Sequence, residues 1–134
     1  MEIPERQIAL KFLNSSDVTE IHHLVIDRSE VQGIAGGKSL DAVLTRIENR
    51  MSFGMISDEF DLAACYACFL AVGHVFNDGN KRTAFACMDV SLSLNGVELD
   101  YNHVEVGNLI INAAQGVVDE VELSAWLRSQ SMGQ

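Results

Sequence analysis

Apolar positions recur along the chain at helical rather than alternating spacing. The first such segment follows Ser15-Ser16-Asp17, which reads as a helix cap, and carries Ile21, Leu24 and Val25. Glycines in VQGIAGGKS then break the pattern. Ser39 is placed to cap the next helix, LDAVLTRIENRM, in which Leu40, Val43, Leu44 and Ile47 mark one face. SFGMIS is apolar and short, either a small hairpin or an extended loop. Ser57 or Asp58 caps a long segment, EFDLAACYACFLAVGHVF, that is apolar nearly all round. Such a helix has no face suited to water and belongs at the centre of the fold. After an Asn-Asp-Gly interruption a further helix is expected from Asn80 to Leu94, stopped by Asn95-Gly96. VELDYN reads as a short extended piece. Asn102 then caps HVEVGNLIINAAQ, which stops at Gly116, and a last helix runs from Glu120 to Ser129 with Val121, Leu123, Trp126 and Leu127. The expectation is an all-α bundle of about six helices with a small β-hairpin at most.

The chain has 134 residues, of which 48% are hydrophobic, enough for one domain with a real core. The reading is a single domain over 1–134, with residues 1–10 as an N-terminal extension or first strand. No apolar run is long enough to span a membrane, and the charged start does not resemble a secretory signal, so a cytoplasmic protein is expected. The net charge is −10, from 9 basic and 19 acidic residues, which argues against direct nucleic-acid binding. Cys65, Cys68 and Cys87 are an odd number; the CxxC lies within the apolar helix and has no second pair, so all three read as core residues. GIAGGKS has the look of a phosphate loop but lacks the spacing of one: Gln32 stands where the first glycine is needed. It reads as a turn-rich loop.

The informative stretch is His74–Ala84, HVFNDGNKRTA. An acidic protein here sets Lys81 and Arg82 at a helix start, where the macrodipole repels cations by roughly 0.3–1 kcal/mol each. An anion belongs at that place. Free amides of the new helix, Gly79, and the cations Lys81 and Arg82 form a phosphate cradle. Asp78 is a carboxylate beside it, suited to Mg²⁺ held jointly with phosphate oxygens. His74 can act as a base near neutral pH. Phe76 should point inward and pin the loop to the core. The combination fits phosphoryl or nucleotidyl transfer to a hydroxyl.

His74, Phe76, Asp78, Gly79, Asn80, Lys81, Arg82, Thr83 and Ala84 closely resemble the signature of the Fic/Doc family, H-x-F-x-[D/N]-[A/G]-N-x-R. The Lys81 position is similar to that of its Doc branch, the death-on-curing toxins of toxin–antitoxin systems carried by bacteria, phages and mobile elements. The likeness spans about residues 10 to 130. It implies an all-α fold in which His74 is the general base, Asp78 holds Mg²⁺, and Gly79, Asn80, Lys81 and Arg82 bind the phosphates of ATP. Most Fic proteins transfer AMP and have glycine in place of Lys81; Doc toxins have lysine and transfer the γ-phosphate to a threonine of elongation factor Tu, stopping translation. A Phd-type antitoxin, whose C-terminal segment folds on the toxin, is the implied partner, and any DNA contact would come through it. The family's target-docking flap corresponds to Phe53, Gly54, Met55 and Ile56; core packing of these residues is the competing reading. An AMP transferase and an inactive, partner-binding member remain as alternatives.

Two departures from the usual pattern accompany the resemblance. Gly37-Lys38-Ser39 stands where an Arg-Asp pair is usual, and Arg50-Met51 where Arg-Pro is usual. The inhibitory motif [S/T]xxxE[G/N] of some Fic proteins, whose Glu pairs with the loop Arg, finds no match: Thr45–Asn49 is one residue short, and Ile21 follows Ser16–Glu20. Restraint is therefore expected from a partner. His22, His23 and His103 read as surface or cap residues.

Overall fold

The computed structural model describes residues 9–132. The expected N-terminal extension lies for the most part outside them. Among the described residues six helices follow one another: α1 (Ser15–Val25), α2 (Leu40–Ser52), α3 (Glu59–Gly73), α4 (Asn80–Leu94), α5 (His103–Ala114) and α6 (Glu120–Met132). The all-α expectation holds.

Helix α3 is the hub, packing against α2, α4, α5 and α6. Phe60 and every residue from Leu62 to Ala71 are buried, as an all-round apolar helix requires. Cys65, Cys68 and Cys87 are buried in this core, and burial pushes each thiol up to about 12, so they pack as neutral small residues. Helix α3 stops three residues before Phe76, not at it. His74 turns into the left-handed region (φ 47°, ψ 46°), and Val75 and Phe76 leave the helix extended. Phe76 then pairs with Ile34 in an isolated antiparallel bridge, through Ala35 N to Val75 O (2.8 Å) and Asn77 N to Gly33 O (3.1 Å). The α1–α2 connection is thereby sewn onto the segment between α3 and α4.

Side chains cap most helix starts. Asn14 caps α1 in a reciprocal box with Asp17; the serines expected to cap it are its first residues. Ser39 caps α2, Asp58 caps α3 and Asn102 caps α5. Asp119 and Glu122 exchange backbone bonds at the start of α6. Among the described residues helix α4 alone has no side-chain cap; its N-cap is Gly79.

SFGMIS forms no hairpin. Gly54 (φ 73°) ends α2 with Gly54 N to Met51 O (3.1 Å) and Met55 N to Arg50 O (2.9 Å), the paired bonds of a left-handed helix stop. Those bonds consume the backbone groups that a hairpin would have used.

The C-terminal helix is tied to the hub by charge as well as by Leu123 and Leu127, which are fully buried. Arg128 reaches Asp58 and Asp61 at the start of α3, and the Ser124 hydroxyl donates to Asp61. Tyr101 stacks on Trp126 and meets the edge of Phe85, linking the 97–102 segment to α6 and α4.

Candidate active site

The loop from His74 to Gly79 crosses between the hub helix and α4. His74 is exposed, and no hydrogen bond restrains its ring among the described residues. Phe76 is 3% exposed and anchors the loop as expected. Asn80 is partly buried and turned back: its Oδ1 accepts from Phe76 N (2.9 Å) and its Nδ2 donates to Phe76 O (2.8 Å). Both ends of that amide thus close the loop on itself and do not face an open anion site.

Gly79 has φ +79°, and a Cβ there would lie 2.6 Å from Cγ2 of Ile26. The glycine requirement therefore comes from the end of α1 packing under the loop, as well as from the turn. Beyond it, the first amides of α4 have neither an intrahelical nor a side-chain partner, which is the elementary form of an anion site. Lys81 is exposed beside them.

Asp78 presents a split carboxylate. Its Oδ2 accepts from Val31 N at 2.8 Å, leaving Oδ1 without a protein donor among the described residues. No group of three or more His, Cys, Asp or Glu side chains among those residues could hold a metal by itself. One carboxylate oxygen next to a phosphate cradle suits a cation that keeps water and phosphate ligands, which is how Mg²⁺ binds. The residues present fit that ion.

Arg82 is already engaged. Its Nη1 donates to Val25 O at 3.0 Å, and its Nη2 is paired with the Glu30 carboxylate. Glu30 also accepts from Asp27 N at 2.7 Å, so the carboxylate is held in a turn of the α1–α2 connection. The Arg82 hydrogen bond, then the Asp27 amide, hold the Glu30 carboxyl below its ordinary range against a small opposing effect of burial. Sequence reasoning did not find this contact, because no spacing rule links positions 30 and 82.

His22 overturns its assignment to the surface. It is 1% exposed, its ring stacks on Phe76 (centroids 3.8 Å apart, planes within 8°), and its Nε2 donates to Asp78 O at 2.8 Å. The signal was present: Val18, Ile21, His22 and Val25 follow the i, i+3, i+4, i+7 template of a buried face. Leu24, taken for that face, is 80% exposed. His23 and His103 are exposed as expected.

Of the flap candidates, Ile56 is buried whereas Phe53 (79%) and Met55 (58%) are exposed at the turn after α2. Core packing accounts for one of the three side chains only. A groove of about 590 Å³ is lined by Lys81 and Arg82 together with Phe85, His103, Val106, Ile110 and Ile111. Among the described residues, no helix is long and apolar enough to cross a membrane.

A family model described as the Fic/DOC family matches residues 12–92, which contain α1 to the body of α4 and the whole loop. The protein named Protein kinase doc, from Escherichia phage P1, is 28% identical over 120 residues, spanning 89% of this chain and 94% of that protein.

Proposed function

The chain belongs to the Fic/DOC family, and on that premise we propose that it is a toxin of the Doc type that moves the γ-phosphate of ATP onto a Thr or Ser hydroxyl. The proposed target is a translation factor similar to elongation factor Tu, with arrest of translation as the outcome. The observation that carries this reading is the start of α4: the one helix start without a side-chain cap, with Asp78 before it and Lys81 just inside it. A relative named as a protein kinase, alike over nearly its whole length, supports the transferase class.

In this mechanism the target hydroxyl approaches His74, whose exposed ring accepts its proton as the oxygen attacks the γ-phosphorus. The new O–P bond forms as the bond to the departing ADP breaks. The free amides of residues at the α4 start and the Lys81 ammonium hold the phosphate oxygens and offset their charge. Asp78, through the oxygen not bound by Val31, would hold Mg²⁺, which when bound neutralises phosphate charge. Asn80 acts by fixing the loop. Arg82 joins the phosphates only after parting from Glu30. Lys81 occupies space and charge that glycine would leave to phosphate, which favours presenting the γ-phosphate over the α-phosphate to His74.

Phe53 and Met55 are proposed as the apolar part of the target-docking surface, used from a turn and not from a strand. The groove between α4 and α5 is proposed for the C-terminal segment of a Phd-like antitoxin, since its lining is mostly apolar and includes Lys81 and Arg82. A cytoplasmic setting goes with such a target, and carriage by a phage or mobile element with the phage relative.

The test uses ATP labelled at the α or the γ position, with Mg²⁺ and elongation factor Tu, and His74→Ala as control. Label from γ alone, lost in the variant, is expected. Label from α would make the protein an AMP transferase. No label from either would favour a protein that only binds its partner.

A further inference from the structure

We propose that His22 is a positioning residue for the phosphate cradle, an inference that rests on the reading of that site as an anion site. The peptide between Asp78 and Gly79 is trans, so its carbonyl and its N–H point in opposite directions. His22 Nε2 holds the carbonyl at 2.8 Å from the α1 side. The Gly79 N–H is thereby turned away from α1, and in this proposal it is the amide offered to the anion.

The ring performs a second task. Stacked on Phe76 at 3.8 Å, it fixes the side chain whose backbone N–H and C=O are both bound by Asn80. The loop is therefore clamped at both ends of Phe76–Gly79 by one imidazole. Ile26, one turn further along the chain, lies against Gly79 and prevents the loop from sinking onto α1. Val25 O, between them in sequence, receives Arg82 Nη1. The last turn of α1 is thus a seat for the site. It touches neither the hydroxyl nor the phosphate in this reading, and acts on them through the direction of one peptide.

The acceptor is a carbonyl, so the assignment requires the Nε2–H form of His22. Two substitutions separate orientation from packing. His22→Gln places an amide nitrogen at the same number of bonds from Cα as Nε2, but removes the stacked ring. His22→Phe keeps the ring and its volume, but has no donor. With the full chain and Mg-ATP in a calorimeter, His22→Phe is expected to bind about tenfold more weakly, the scale of one lost hydrogen bond. His22→Gln is expected to stay within about threefold of the parent, despite a lower melting temperature than His22→Phe. The reverse order, with Phe binding as the parent does and Gln failing, overturns the proposal and leaves His22 a packing residue.

A second measurement needs no nucleotide. Long-range ¹H–¹⁵N spectra should show His22 as the Nε2–H tautomer, and the Gly79 amide resonance should move further in His22→Phe than in His22→Gln. An Nδ1–H tautomer, or an unmoved Gly79 amide, overturns the proposal. If the spectra come out as expected while the parent binds no ATP, the positioning role stands and the nucleotide reading falls.

Discussion

The Glu30 carboxylate sits where an anion must sit to use Arg82. An ion pair this exposed contributes little to folding, because water and salt screen it and two long side chains lose freedom in forming it. Its effect should therefore appear in binding. Glu30→Gln removes the competing charge and leaves an uncharged side chain of nearly the same shape. The variant should melt at the parent's temperature and bind Mg-ATP severalfold more tightly by calorimetry. Unchanged affinity would mean that Arg82 takes no part in holding nucleotide. The pH dependence has a definite sign. Arg82 holds the Glu30 carboxyl below its ordinary value, so the pair is complete above the ordinary carboxylate range and is lost as pH falls through the lowered value. The advantage of Glu30→Gln should shrink along that same acid limb.

At the scale of elements, the chemistry of helix ends was readable because it is local. Ser39, Asp58 and Asn102 cap the helices that their positions announce. The placing of α3 at the centre follows from composition alone, since Leu62 to Ala71 offer water almost nothing. What escaped the sequence depends on partners far along the chain. The bridge of Ile34 with Phe76 decides where α3 ends, and Glu30 reaches Arg82 across the same connection. The site loop itself was legible as a motif, while the direction of Asn80 and the seat formed by His22 were not. A hairpin after α2 failed because the helix stop at Gly54 took its hydrogen bonds. The docking of α6 offers a test of such a long-range tie. Burial alone would raise the Asp61 carboxyl, but the Ser124 hydroxyl, the Ser57 amide and Arg128 together hold it below its ordinary range. A lowered value means stability present above the ordinary carboxylate range and lost as pH falls through the lowered value. Arg128→Met should cost about 1 kcal/mol at pH 7, discounted for its exposure, in urea unfolding. The gap between parent and variant should close as pH falls through that lowered value; a gap that persists below it would locate the Arg128 contribution in the contact of its guanidinium with the Phe60 ring and not in its pairing with the two carboxylates.

Across the whole molecule the net charge of −10 opposes the ligand proposed for the site. ATP with its metal is still an anion, and it must cross a field set by 19 acidic residues before it meets Lys81. Arg82 adds little to the attraction at long range, because Glu30 and Asp27 lie beside it. The two fields differ in reach. The repulsion is summed over the surface and reaches out to roughly the Debye length, about 30 Å at 0.01 M salt but only about 10 Å at 0.1 M. The attraction comes from amides and one ammonium at contact distance, where added salt screens least. Raising salt over that interval should therefore speed the association of Mg-ATP in stopped-flow, the opposite of what a basic phosphate-binding protein does. Dissociation should change less than association. An association rate that falls with salt would mean that the cations at the start of α4 dominate the approach as well as the contact, and that the acidic surface faces away from the path of the nucleotide.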